Sequence, residues 1–121
     1  MLISILITLF AFRKHLTDFT LYQYRHLLES LLQQGYQFLT FEQYCEQKNL
    51  PYRLIASSPH HTKHLVLRHD VDLKASNSLA TAQIEHELGI RATYYFRVVP
   101  QSNQPDIIRA IAALGHEIGY H

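Results

Sequence analysis

The sequence predicts an α/β domain built on a largely parallel sheet. Two observations carry this. Amphipathic helical runs alternate with short apolar runs rich in β-branched and aromatic residues. Three of the four glycines, Gly35, Gly89 and Gly115, each stand between such a helix and such a strand, where a left-handed residue closes a helix. The chain has 121 residues, 47% of them hydrophobic and 17% charged. That makes one domain with a core and excludes a disordered tail, a collagen-like repeat or a low-complexity linker. The formal charge of +1 provides no basic surplus for neutralising phosphates, so nucleic acid is not an expected partner. The single cysteine, Cys45, excludes an internal disulfide and a cysteine-rich zinc site.

Met1 to Phe12 holds ten apolar residues of twelve, with Arg13, Lys14 and His15 behind it. A bilayer-spanning helix needs about 20 apolar residues. A secretory signal places its basic residues before the apolar run. Three readings stay open: membrane contact through residues 1–12, a buried strand carrying the β-branched Ile3, Ile5, Ile7 and Thr8, or an extension outside the domain. The division adopted is an apolar N-terminal extension over 1–16 and a domain over 17–121.

Thr20 and Gln23 have capping-box spacing and open a helix from about Leu21 to Gln34. Its apolar face is Leu21, Tyr24, Leu28, Leu31 and Leu32. A short strand follows over Tyr36–Leu39. Thr40 and Gln43 repeat the capping spacing for a helix over Phe41–Lys48. Asn49 to Lys63 reads as a loop, broken by Pro51, Ser57, Ser58 and Pro59; the histidines of this region are His60, His61 and His64, and a solvated loop accounts for them. Leu65–Asp72 is the next strand and Ser76–Leu88 the next helix, with Ala80, Ile84 and Leu88 one turn apart. Ile90–Val99 is predicted as a long strand. Pro105 and Asp106 suit the first turn of a helix whose inner face is Ile107, Ile108, Ile111 and Leu114. His116–His121 begins a last strand.

The chemistry concentrates at two strand ends. Asp70 and Asp72 are two apart on a strand, so their side chains share a face. They stand at its C-terminal end, where parallel α/β sheets place their sites. Adjacent carboxylates repel unless a cation neutralises one of them. A cation site and a pair of turn-capping aspartates both satisfy the spacing. Arg68 shares the face of Asp70 and can pair with it, whereas His69 faces the other way, toward a packing role. In the closing segment GHEIGYH, Glu117, Gly119 and His121 share one face of an extended chain, with His116 and Tyr120 on the other. Gly119 leaves room for a group to approach the backbone, and His121 could join Asp72 on a metal.

Taken in order, LRHDVDL, SLATAQIEHELGIRATYYFRV and IIRAIAALGHEIGYH resemble the polysaccharide deacetylase family, the NodB-homology domains. The resemblance covers Leu65 to His121, a little under half of the chain, with GYQFLTFEQYC similar to the lead-in of some branches. It implies a distorted (β/α) barrel of the glycoside hydrolase–deacetylase type, of which about three strand–helix units are present. It also implies a hydrolase of amide C–N bonds in carbohydrates that uses a divalent metal, commonly zinc. By position, Asp70 matches the general base that activates water, and Asp72 and His121 match metal ligands. His116 and Glu117 belong to the lead-in of the second motif, in structural roles, and Arg68 and His69 stand as supporting residues.

The resemblance also marks what is missing. Many relatives carry a second metal histidine a few residues beyond the position of His121. The later motifs, with the base-orienting arginine and the general-acid histidine, are not in this sequence. Two ligands fall short of the three usual at catalytic zinc. The expectation is an N-terminal part of a deacetylase-like domain, inactive alone, that needs a downstream half or a partner. A carbohydrate is its substrate once completed. The alternative is a non-catalytic α/β half-domain. A cytoplasmic location is the expectation, with membrane association as the alternative.

Overall fold

The computed structural model describes residues 2–8, 20–49 and 63–121. Its elements in chain order are β1 (Leu2–Thr8), α1 (Leu21–Gln33), β2 (Tyr36–Leu39), α2 (Phe41–Lys48), β3 (Lys63–Val71), α3 (Ala75–Glu87), β4 (Thr93–Phe96), α4 (Pro105–Ala113) and β5 (Glu117–Tyr120). The α/β class predicted from the sequence is the class observed.

Both capping boxes form. Thr20 Oγ1 accepts from the Gln23 amide at 3.2 Å, and Gln23 Oε1 accepts from the Thr20 amide at 2.8 Å. Thr40 and Gln43 repeat the exchange at 3.2 and 3.0 Å. Each box satisfies two amides that a helix start otherwise leaves unpaired. The face of α1 is narrower than its pattern. Tyr24 and Leu28 are buried and Leu31 is partly so, but Leu21 and Leu32 at its two ends are exposed.

All strand pairings are parallel, and β3 is the hub. β1 runs along β3 from His64 to Asp70. A strand has two edges, so β2 and β4 share the other one. β2 pairs with Lys63–Val66 and β4 with Arg68–Val71. β5 then pairs with β4. Of the readings open for the apolar N-terminal run, Leu2–Thr8 takes that of a strand. His60 and His61 lie outside the described residues, and His64 sits half-buried on β3. No helix among the described residues is long and apolar enough to cross a membrane.

The expected long strand over Ile90–Val99 is only Thr93–Phe96. Its neighbours offer four paired positions on each side. Beyond Phe96 the backbone turns, because Ser102 Oγ accepts from the Arg97 amide at 2.9 Å and donates to the Val71 carbonyl. Ser102, fully buried, thus ties the end of β3 to the end of β4.

Alternation along β3 sorts the site. Leu65, Leu67, His69 and Val71 share one face of the strand; Val66, Arg68 and Asp70 share the other. The first set joins Tyr24, Leu28, Ile84, Tyr94, Phe96 and Ile111 in the core, with α3 packed against α1, α4 and β3. Each of these apolar side chains contributes roughly 1.5–3 kcal/mol by leaving water. On the second face the N-terminus of α2 meets β4. The Phe41 amide donates to Thr93 Oγ1 at 3.3 Å, and the Phe41 ring packs edge-on against Tyr95.

Candidate functional site

Arg68, Asp70, Tyr95 and Gly119 meet on the second face, at neighbouring positions of three adjacent strands. Arg68 Nε donates to Asp70 Oδ1 at 2.8 Å, in a charge-assisted bond between residues two apart. The Arg68 guanidinium lies over the Tyr95 ring, 4.4 Å from its centroid. Tyr95 in turn lies against the backbone of Gly119, where a Cβ would stand 2.5 Å from Tyr95 Cε1. The space left by Gly119 is therefore filled by Tyr95 from the neighbouring strand.

Asp72 and His121 come together at the end of the same sheet. β5 delivers His121 through its own backbone, whose amide donates to the Phe96 carbonyl at 2.9 Å. His121 Nε2 is then 3.8 Å from Asp72 Oδ1. Arg97 Nη1 approaches the same oxygen at 3.7 Å, too far for a hydrogen bond. All three side chains are one-third to one-half exposed. Two ligands on one tetrahedral zinc lie about 3.3 Å apart. A carboxylate oxygen and an imidazole nitrogen at 3.8 Å therefore fit two positions on one divalent ion after a small side-chain rotation. No group of three or more such ligands converges among the described residues. Two residues beyond Asp72, Lys74 adopts a left-handed conformation (φ 52°, ψ 61°) at the start of α3.

His69 faces away from Asp70, into the core. Its ring stacks on Tyr94, and its Nε2 is 2.6 Å from Glu85 Oε1. Glu85 is fully buried. Its carboxylate also accepts from the Tyr94 hydroxyl at 2.7 Å and from the Tyr24 hydroxyl. Burial, followed by the Glu85 charge, raises the pKa of both Tyr24 and Tyr94 well above the usual tyrosine value. Both hydroxyls stay protonated and remain donors to Glu85. Among the described residues His69 Nδ1 is buried without a hydrogen-bond partner.

His116 is buried and its tautomer is fixed. Nδ1 accepts from the Ala92 amide at 3.1 Å, so Nε2 carries the proton and donates to the Ala82 carbonyl at 2.9 Å. Both ring nitrogens are satisfied in the neutral form. Burial lowers its pKa, outweighing the opposing pull of the Ala82 carbonyl and Glu85. Glu117 sits at the start of β5. Its Oε2 accepts from Thr93 Oγ1 at 2.6 Å and from the Glu42 amide in the first turn of α2 at 3.4 Å. A carboxylate is favoured there, beside the positive end of the helix dipole.

The structure thus gathers the sequence-predicted residues into four groups. Arg68 with Asp70, and Asp72 with His121, stand at strand ends. Glu117 ties β5 to α2, and His69 and His116 lie in the core on the other face. Glu85, Tyr94, Tyr95 and Arg97 were not singled out from the sequence. Ser78, Thr81, Ala82 and Glu85 do recur at i, i+3, i+4 and i+7, the spacing of one helix face. That face is the buried one, but its polar residues hid it.

Comparisons with protein-family models, with curated proteins and with solved structures returned no match to this chain.

Proposed function

We propose that this chain forms part of a metal-dependent hydrolase of the polysaccharide deacetylase type, acting on amide C–N bonds of carbohydrates. The observation that carries the reading is the approach of His121 Nε2 to Asp72 Oδ1, with Asp70 two residues earlier, near the end of β3. In this reading Asp72 and His121 hold a divalent cation. Zinc suits that donor set, though a histidine and a carboxylate serve several divalent ions. Such an ion polarises an acyl oxygen and acidifies bound water. Asp70 serves as the base that takes the proton from water, held at a defined place by Arg68. The sheet is the beginning of a barrel in this reading, and β5 leads toward the rest of it. A third protein ligand and a general acid come from a downstream half or a partner.

Calorimetry with zinc tests the reading. The chain is expected to bind one equivalent, and Asp72→Ala is expected to abolish binding. Unchanged affinity in Asp72→Ala contradicts the assignment. Failure of the wild-type chain to bind any divalent ion favours the second reading, a non-catalytic α/β half-domain. The observation behind that alternative is that only two ligand side chains converge at the site among the described residues.

A further inference from the structure

We infer that Tyr95, seated on Gly119, is a positioning residue that holds the Arg68 guanidinium in place and, through it, the carboxylate of Asp70. The inference rests on the proposed role of Asp70 as a base, and it gives Tyr95 and Gly119 a part that the resemblance does not assign.

Arg68 has a long side chain with several rotatable bonds, and one hydrogen bond to Asp70 does not fix its plane. Among the described residues its recorded contacts are Nε to Asp70 Oδ1 at 2.8 Å and the face of Tyr95 at 4.4 Å. The ring supplies the second constraint. A cation over an aromatic face is attracted by the ring quadrupole, and a planar guanidinium can lie flat on it. The ring is itself confined. Phe41 meets it edge-on with centroids 6.3 Å apart, and Gly119 lies against its other atoms. Any side chain at position 119 would stand where Tyr95 Cδ1 and Cε1 are, 2.5–2.6 Å from the new Cβ. Glycine is required there by a neighbour's ring, since Gly119 is absent from the positive-φ residues.

Register explains why three strands cooperate. Asp70 pairs with Tyr95, and Tyr95 pairs with Gly119. The carboxylate, the ring and the gap therefore form one row across β3, β4 and β5. Arg68, two residues before Asp70 on the same face, leans over that row. Glu117, Thr93 and the first turn of α2 close the lower side. The arrangement aims Arg68 at one carboxylate oxygen and limits the rotation of Asp70.

The side-chain Nε–H resonance of Arg68 reads this directly, without metal or turnover. A hydrogen bond to a carboxylate moves it downfield and slows its exchange with water. The expected result is a downfield, slowly exchanging signal in the wild-type chain and in Tyr95→Phe, which keeps the ring. Exchange should be about fivefold to tenfold faster in Tyr95→Leu, the loss expected when a cation–π contact of moderate strength is removed. Gly119→Ala, which displaces the ring but retains it, should give the same acceleration. An unprotected Arg68 signal in the wild-type chain overturns the inference, and so does equal protection in a folded Tyr95→Leu or Gly119→Ala chain. Should Tyr95→Leu fail to fold, Tyr95→Met preserves apolar volume without a ring and answers the same question. Because zinc affinity is measured separately, loss of the Arg68 signal and loss of metal binding are distinguishable failures.

Discussion

His69 and Tyr94 stack face to face, with ring centroids 4.3 Å apart and planes 13° from parallel. They are register partners on β3 and β4, and the next pair along is Asp70 with Tyr95. Alternation turns that second pair to the opposite face. The His69–Tyr94 stack and the Asp70–Tyr95 pair are thus opposite sides of two successive residue steps. Packing that fixes His69 and Tyr94 also fixes the backbone from which Asp70 and Tyr95 project.

Glu85 anchors that packing. It is the shared acceptor for Tyr24, Tyr94 and His69, which come from α1, β4 and β3. Glu85→Ala removes the buried carboxylate that these three side chains share and opens a cavity. The expected loss is about 3 kcal/mol or more of folding stability, measured by urea denaturation. A loss under about 1 kcal/mol would mean that water takes over the acceptor role, and that Glu85 does not hold these elements together.

His116 gives the fold a pH dependence of known sign. Its folded-state pKa is depressed by burial, so in the folded protein it holds its proton less tightly than in the unfolded chain. The unfolded chain then binds more protons between the folded value and about 6.5. The stability contributed by neutral His116 is complete above about pH 6.5 and falls as the pH drops below it. It levels off once the pH is below the folded value. Denaturation midpoints between pH 8 and pH 5 should show this decline, and His116→Gln should show a shallower one. An equal decline in both proteins would assign the effect to other groups.

The parts of the fold that local rules control were legible in the sequence. Thr20 with Gln23 and Thr40 with Gln43 marked two helix starts. Gly35, Gly89 and Gly115 take the positive φ that their positions between helix and strand require. The facing of Asp70 and His69 followed from strand alternation. What depends on distant partners was not legible. The length of β4 is set by the four positions its neighbours offer and by Ser102, not by its own apolar run. Glu85 reads as a surface residue until Tyr24 and His69 are brought to it. The reason for Gly119 is the ring of Tyr95, on another strand. Of the candidate site, Asp72 and His121 were paired from the sequence, while Arg97, which approaches the same oxygen, was not.

Lys74 holds a left-handed backbone two residues after Asp72. For an L-residue with a Cβ this costs roughly 1–2 kcal/mol. Lys74→Gly removes the strain, and the greater freedom of glycine in the unfolded chain offsets part of the gain. A net stabilisation of about 0.5–1 kcal/mol is expected by thermal or urea unfolding. A destabilised Lys74→Gly chain would mean that the Lys74 side chain contributes more than its backbone costs.

The central claim is that Asp72 and His121 are two ligands of one divalent cation. Paramagnetic cobalt(II), added in substoichiometric amounts to the isotopically labelled chain, tests it most directly. The account predicts that amide signals broaden first around Asp72 and His121, and that Asp72→Ala removes this broadening without altering the rest of the spectrum. Broadening centred instead on His60, His61 and His64, or unaffected by Asp72→Ala, would contradict it.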